Sequence, residues 1–194
     1  MEKLTASEIQ LAAGVFARAF FDDPLFRHFF PEISERRAQI EALYRFRLRS
    51  QLSNSFKTNA LEGLAIWQAP HRHNSFPSIL DLVPGLRMVK QVGRAPLTRM
   101  VSYLRWAESL RAVTAHEPYW YLDSLVVDPA FQGRGLARQL IDPVVRLARD
   151  AGQWIYLETH NRRNLDIYAH LGFTVVARQR LPGTYIDHFL LRKG

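Results

Sequence analysis

Apolar residues recur at helical spacing in the first part of the chain. Thr5 and Glu8 have the spacing of a helix-capping box, so a helix is predicted to begin there. The apolar positions that follow are Ile9, Ala13, Phe16 and Phe20. Asp22-Asp23-Pro24 is predicted to end this helix, because the residue before a proline avoids helical angles. The aromatic cluster at 26–30 favours core packing, with the wall of a substrate pocket as the functional alternative.

The middle of the chain has a weaker pattern. An arginine-rich helix is predicted at 34–52, followed by short strands at 56–59 and 64–68. Residues 76–115 are predicted to form helical pieces, broken at Pro77, Pro84-Gly85, Gly93 and Pro96. The motif His71-Arg72-His73 has no partners at metal-ligand spacing, so these histidines are expected to be solvated.

The second half alternates between strand-like and helix-like segments. An apolar run at 119–127 predicts a central strand, and apolar residues of 136–151 recur on one helix face. Pro143 is expected to kink that helix or to cost it a hydrogen bond. The predicted elements that follow are a strand at 154–159, a short helix at 162–171 and strands at 173–180 and 185–191. This order predicts one α/β domain, residues 1–194, built on a mixed sheet.

A glycine-rich segment joins the central strand to the following helix. It reads Gln132-Gly133-Arg134-Gly135-Leu136-Ala137. Glycines let the backbone approach a ligand, and the first amides of a helix have no intrahelical partner and carry partial positive charge. The segment therefore indicates a site for a phosphorylated ligand, the alternative being a tight turn. Arg138 stands where a dinucleotide fingerprint needs glycine, and the chain has no Walker-type loop.

Composition narrows the classes of function. The chain has 194 residues, no cysteine and a net charge of +8, which excludes disulfides, thiolate metal sites and a cysteine nucleophile. No apolar run is long enough to span a membrane, and the first residues do not resemble a signal peptide, so the cytoplasm is the expected location. The arginines are spread along the chain, which favours a basic surface that attracts an anionic cofactor over nucleic-acid binding.

Two motifs follow one another between residues 119 and 176. Residues 132–137 fit the pattern Gln/Arg-x-x-Gly-x-Gly/Ala, and Asn161 is followed by Tyr168 and then Gly172-Phe173. This ordered set resembles the GCN5-related N-acetyltransferase (GNAT) superfamily. The earlier segment 19–24, with Leu157-Glu158-Thr159, is similar to the branch that contains puromycin N-acetyltransferases.

The resemblance implies a GNAT fold, in which a mixed, mostly antiparallel sheet is flanked by helices and two parallel central strands splay apart. Here those strands are 119–127 and 154–159. It also implies acetyl-CoA as co-substrate, bound mainly by backbone groups, and no metal. The cofactor-binding residues implied are Leu125, Val126, Val127, Gln132, Gly133, Arg134, Gly135, Leu136, Ala137, Arg138, Asn161 and Tyr168. For Asn161, a helix N-cap is the structural alternative.

The same resemblance makes Tyr168 the general acid. A phenol with a reference pKa of about 10 can protonate a departing thiolate without being ionised itself; a core tyrosine is the alternative. The general base stays open. Glu158, on a strand that borders the cleft, is the first candidate and Asp123 the second, each with a structural hydrogen bond as its alternative. His116 and His160 flank the same strands.

These features favour an acetyl-CoA-dependent N-acetyltransferase that acts on a primary amine of a small molecule. The alternatives are a protein or peptide amine as acceptor, a CoA-binding sensor module without catalysis, and a basic domain associated with nucleic acid. No membrane partner is expected. The sequence leaves open the identity of the acceptor, the length of the acyl group and the oligomeric state, a homodimer included.

Overall fold

The computed structural model describes residues 1–70, 82–115 and 118–194. The strands are β1 (Glu2–Lys3), β2 (Ser55–Lys57), β3 (Gly63–Gln68), β4 (Tyr119–Val127), β5 (Trp154–Thr159), β6 (Thr174–Arg180) and β7 (Asp187–Lys193). The helices are α1 (Ile9–Ala19), α2 (Pro24–Phe29), α3 (Ile33–Ser50), α4 (Leu82–Val92), α5 (Arg94–Thr114), α6 (Leu136–Asp150) and α7 (Arg163–His170). His71, His73 and His116 lie outside the described residues.

The strands form one sheet in the order β1-β2-β3-β4-β5-β7-β6. All neighbouring pairs run antiparallel except β4 and β5, which are parallel. This confirms the predicted mixed sheet with a parallel pair at its centre.

The parallel pair separates partway along its length. Its ladder runs from Tyr119 opposite Trp154 to Leu122 opposite Leu157, and ends there. Beyond that point β4 continues to pair with β3 as far as Val127, and β5 with β7 as far as Thr159. Each strand therefore keeps its outer neighbour while the two inner edges part and leave a cleft between them.

Helices cover both faces of the sheet, because successive residues of a strand point to opposite sides. Leu64 and Ile66 of β3 pack with α1 and α3, whereas Ala65 and Trp67 pack with α6. The buried face of α6 consists of Leu140, Ile141, Val144 and Ala148. That apolar face holds α6 as one continuous helix through Pro143.

Two predicted interruptions are absent from the helices before β4. Pro84-Gly85 lie within α4 and Pro96 lies in the first turn of α5, where the amide that proline lacks has no intrahelical partner in any case. Gly93 alone separates the two described helices, with φ of +87°. The predicted break there is correct, and the structural reason is a backbone angle that favours glycine.

We expect the aromatic stack between α1 and α3 to be a main source of stability. Phe16 is fully buried, and its ring stacks on that of Tyr44 at 4.0 Å. Phe16→Ala should lower the free energy of unfolding by about 3–5 kcal/mol, because it leaves a cavity that the packed helices cannot fill. Leu11→Ala, at a position of α1 that is 69% exposed, should change it by less than about 0.5 kcal/mol. Equal losses in urea unfolding would contradict this account.

Candidate active site

The glycine-rich loop lies at the end of β4, on the open side of the cleft. Gly133 and Gly135 have φ of +78° and +74°, and a Cβ added to either would meet nothing within 4 Å. The requirement for glycine is therefore one of backbone angle, not of space. No side chain caps the start of α6, where Gly135 is the N-cap, so the first amides of that helix remain open to an anionic ligand.

An ion pair between an exposed arginine and a buried aspartate precedes this loop. The Asp128 carboxylate accepts hydrogen bonds from the Arg18 guanidinium at 2.6 and 2.9 Å and from the backbone of Ala130 at 3.2 Å. Burial opposes ionisation, but the hydrogen bonds from Arg18 and Ala130 leave the pKa of Asp128 below its ordinary value. Sequence reasoning missed Arg18, which lies on α1, 110 residues away.

Tyr168 is buried in the core cluster on the face of the sheet that α6 covers. It belongs to the same core cluster as Leu122 and Leu157, the last paired residues of the ladder. Its ring meets that of Phe173 edge-on at 5.8 Å. Burial raises the pKa of the Tyr168 phenol well above its ordinary value, so the hydroxyl is a proton donor at neutral pH.

Asn161 lies just before the N-cap of α7, which is Arg162, and its side chain forms a turn with the backbone two residues on. Its side-chain oxygen accepts a hydrogen bond from the amide of Arg163, the first residue of α7, at 3.1 Å. This contact ties the end of β5 to the helix that carries Tyr168. The interaction leaves the side-chain nitrogen of Asn161 available for a ligand.

Glu158 is a buried carboxylate at the mouth of the cleft on β5. Its side chain is 6% exposed and pairs with the Arg111 guanidinium of α5 at 3.0 Å. Burial raises the pKa of Glu158, although the charge of Arg111 and a hydrogen bond from Tyr121 act in the opposite direction. A carboxylate with a raised pKa is better suited to accept a proton near neutral pH.

Asp123 lies at a bulge on β4, one residue beyond the last rung of the parallel ladder. Ile66 pairs with Ser124 and Trp67 pairs with Leu122, so Asp123 has no partner residue on β3. Its carboxylate forms an ion pair with Arg47 of α3. Each of the two carboxylates predicted as bases therefore forms an ion pair with an arginine of a helix. The helix is α3 for Asp123 and α5 for Glu158.

A pair of histidines adjoins Glu158. His188 of β7 is fully buried, and its Nδ1 lies 2.9 Å from Nε2 of His160. Its own Nε2 lies 4.0 Å from Oε2 of Glu158 and has no hydrogen-bond partner among the described residues. Burial lowers the pKa of His188 to about 4 and that of His160 to about 3. Both rings are therefore neutral at pH 7. No sequence pattern pointed to His188.

An aromatic cavity opens next to these histidines. It has a volume of about 240 Å³, and its lining includes Tyr103 and Trp106 of α5. The Tyr103 ring lies 5.2 Å from His160, and the Trp106 ring lies 5.1 Å from His188. The other lining residues are His28, Thr98, Arg99, Ser102, Leu181 and Pro182. The helix predicted to precede the cofactor strand thus forms one wall of a pocket beside the cleft.

Two classes of feature are missing from the part of the chain that the structure describes. It contains no group of three or more His, Cys, Asp or Glu residues that could hold a metal ion. It also contains no helix that is long and apolar enough to cross a membrane.

Comparison with known proteins gives a consistent result. Residues 90–173 match the acetyltransferase (GNAT) family. An uncharacterized N-acetyltransferase of Schizosaccharomyces pombe is 24% identical over 89% of this chain and 73% of its own length.

Two solved structures share the fold over nearly the whole chain. A histone acetyltransferase HPA2 and related acetyltransferase from Corynebacterium glutamicum is 21% identical, with a TM-score of 0.66 over 98% of this chain and 93% of that one. Arylalkylamine N-acetyltransferase 2 from Aedes aegypti is 16% identical, with a TM-score of 0.61 over 99% and 96% of the two chains.

We expect the buried histidines to make the protein less stable in mild acid. An unfolded histidine takes up a proton near its ordinary pKa of 6.5, whereas folded His188 does so only near 4. The free energy of unfolding should therefore fall as the pH drops from about 6.5 towards 4, since the unfolded state binds more protons in that range. Thermal melts of wild type and His188→Gln across this range should converge as the pH falls.

The matched control is His170→Gln, which removes an exposed histidine of α7. It should keep the wild-type pH dependence. A His188→Gln melt with an unchanged slope against pH would refute the assignment of a neutral buried pair.

Proposed function

Because the chain belongs to the GNAT superfamily of N-acetyltransferases, we propose that it transfers the acetyl group of acetyl-CoA to a primary amine of a small molecule. One observation carries the proposal. The uncapped, glycine-shaped loop lies at the end of the strand that parts from β5, and buried Tyr168 shares a core cluster with the last rung of the parallel ladder. On this proposal an anion cradle, an open strand edge and a proton donor serve one cleft.

The cleft fits coenzyme A in two respects. The amides from Gln132 to Arg138 lie at an uncapped helix start, which suits a pyrophosphate. Beyond Leu122 the inner edge of β4 has no strand partner in the parallel ladder, so backbone groups of Leu125, Val126 and Val127 can pair with the amides of a pantetheine arm as an added strand would. Asn161, and the charge of Arg134, are expected to assist at the same ligand.

Tyr168 is the proposed general acid. Acetyl-CoA supplies a thioester, whose attack by an amine releases a basic thiolate. A phenol is protonated at neutral pH and can donate its proton to that thiolate. Burial, which raises the pKa of Tyr168, keeps the phenol protonated but also makes it a weaker acid. The assignment is supported by the core cluster that Tyr168 shares with Leu122 and Leu157, the last rung of the parallel ladder.

Glu158 is favoured over Asp123 as the proposed base. Burial raises the pKa of Glu158, which brings the carboxylate closer to the range in which it can exchange protons with an amine. Asp123 is fixed by Arg47 on a bulged strand, which suits a role in shaping the cleft. His160, with a pKa lowered to about 3, is a weak base.

A small acceptor is favoured by the cavity beside the cleft. Its volume of about 240 Å³ and its aromatic lining suit a compact amine with an apolar body. The arylalkylamine N-acetyltransferase of Aedes aegypti has the same fold and a name that describes such a substrate. The histone acetyltransferase named among the similar structures keeps a protein amine as the second candidate.

Tyr168→Phe should lower turnover at least several-fold, because the departing thiolate loses its proton donor. Binding of CoA should be unchanged, since the ring and its packing against Phe173 remain. Free-thiol release with a panel of amines measures turnover, and isothermal titration measures binding. Normal turnover in the variant would contradict the assignment of Tyr168 as general acid.

A second variant tests the loop. Gly135→Ala should weaken CoA binding at least about tenfold, because alanine in the left-handed region distorts the amides at the start of α6. Gly152→Ala is the matched control, since Gly152 at the far end of α6 also has positive φ and open space around its Cβ. Both should cost similar stability in thermal melts. Equal loss of CoA affinity in both, or in neither, would remove the loop from the proposed site.

Thermal melts with CoA, together with the thiol-release assay, separate an enzyme from a sensor. A stability increase with CoA but no thiol release with any amine would favour a binding module without catalysis. No stability change with either acetyl-CoA or CoA would contradict the proposed function as a whole.

A further inference from the structure

A second cavity lies where α1 and α4 pack against α3. Its volume is about 210 Å³, and residues of all three helices line it. Three of these residues are the arginines Arg45, Arg49 and Arg87, so we call this cavity the arginine groove. Among the residues that the structure describes, no acidic side chain lines the groove.

The geometry of α3 separates the arginine groove from the cleft. Arg45 and Arg49 are four residues apart and therefore lie on one face of the helix. Arg47 stands between them in the sequence, which places it on nearly the opposite side of a helix with 3.6 residues per turn. Because Arg47 pairs with Asp123 of the sheet, the other two arginines face away from the sheet and its cleft.

The groove arginines have neutral partners or none. The Arg45 guanidinium donates hydrogen bonds to Oε1 of Gln91 at 2.9 Å and to Oε1 of Gln10 at 3.4 Å. Arg49 and Arg87 are exposed, and neither forms a hydrogen bond or an ion pair with any residue that the structure describes. Two glutamines therefore fix one guanidinium in place, while the donors of the other two remain available to a ligand.

The helices around the groove supply little negative charge. α4 contains no acidic residue, and α3 contains none after Glu41. The Glu41 carboxylate accepts a hydrogen bond from the side-chain amide of Gln10, and within the described ranges it forms no ion pair with a groove arginine. Three positive charges thus line one cavity without a counter-charge, an arrangement that repels itself and attracts an anion.

The rest of the groove is largely apolar. Phe46 of α3 contributes to the lining, as do Pro84 and Met88 of α4. A Cβ added to Gly85 would lie 3.5 Å from the Phe46 ring, so α4 packs closely over that ring. Sites for drug-sized ligands measure about 300–1,000 Å³, and the smaller volume of this groove suits a compact anion with a flat or apolar body.

Among common anions, a phosphate monoester fits this set of donors best. Its charge at neutral pH is about −1.5 to −2, and its three terminal oxygens all accept hydrogen bonds. The planar fork of a guanidinium group matches phosphate oxygens in geometry. A carboxylate offers two oxygens and one charge, which is less than three guanidinium groups can engage.

We propose that the arginine groove binds a small phosphate monoester with an aromatic or apolar body. Arg49 of α3 and Arg87 of α4 hold the phosphate from two helices, and Arg45, fixed by its glutamines, is the third donor. The body of the ligand lies against Phe46. This binding site is separate from the proposed acetyl-CoA cleft and does not depend on the proposed function.

Phenyl phosphate is the probe that tests the groove. Calorimetry at constant ionic strength should give wild type a Kd below about 1 mM. Arg49→Gln and Arg87→Gln should each raise that Kd at least about fivefold, because each removes a charge-assisted hydrogen bond. The matched control is Arg37→Gln, which removes the same charge from an exposed position of α3 outside the groove. Its Kd should stay within about twofold of wild type.

Two further ligands test the chemistry of recognition. Phenol keeps the ring and lacks the phosphate, and benzoate carries a carboxylate in its place. Wild type should bind benzoate at least about fivefold more weakly than phenyl phosphate and should show no measurable binding of phenol. Equal affinity for benzoate and phenyl phosphate would overturn the assignment of a phosphate site.

The glycine-rich loop is another place where a phosphate can bind, because the start of α6 is uncapped. The titrations are therefore repeated with excess CoA and with Gly135→Ala. Phenyl phosphate bound in the arginine groove should keep its Kd under both conditions. Loss of binding under either condition would place the probe at the loop and overturn the proposal.

The remaining outcomes are distinct. Binding that persists with CoA and in Gly135→Ala, and that weakens in both Arg49→Gln and Arg87→Gln, supports the proposal whether or not any amine is acetylated. A wild-type Kd above about 1 mM, an unchanged Kd in either variant, or an equal rise in Arg37→Gln overturns it. Both arginines are exposed, so the variants should melt at the wild-type temperature. If one unfolds, the other variant and the benzoate comparison decide.

Discussion

The parting of β4 from β5 is the constraint on which the rest of the structure depends. A strand edge inside a protein must find partners for its amides and carbonyls, because unpaired buried backbone groups are costly. Here the parallel ladder ends at Leu122 and Leu157 while both strands keep their outer neighbours. The remaining inner edges are held apart within a rigid sheet. A ligand that carries peptide-like amides meets a surface whose hydrogen-bonding geometry is already in place.

The helices that flank the cleft supply charge as well as packing. Arg47 comes from α3 and Arg111 from α5, and each reaches a carboxylate on a different central strand. Such pairs are costly to desolvate and are strongly destabilising when one partner is lost. They also determine where negative charge is available.

Local patterns were predictable from the sequence and long-range pairs were not. The glycine loop was predictable because its requirement is local: two residues need positive φ immediately before a helix. The motif around Tyr168 predicted a short helix there, which α7 confirms, while the catalytic role of Tyr168 stays a prediction. Arg18, Arg47 and Arg111 reach their partners across 110, 76 and 47 residues, and no spacing rule indicates such contacts. The helix breaks predicted at Pro84-Gly85 and Pro96 are absent for a related reason. Packing and position within the helix outweighed the local preference of these residues.

The short parallel ladder has a mechanical consequence. Among the described residues, the rungs from Tyr119 to Leu122 are the only strand pairing between the two halves of the sheet, so this is a seam within the fold. A cofactor seated along the inner edge of β4 would extend the seam with hydrogen bonds of its own. The co-substrate would then form part of the sheet while it is bound, and its hydrogen bonds to β4 would form and break once in each turnover. In that case the free energy of cofactor binding also stabilises the contact between the two halves of the sheet.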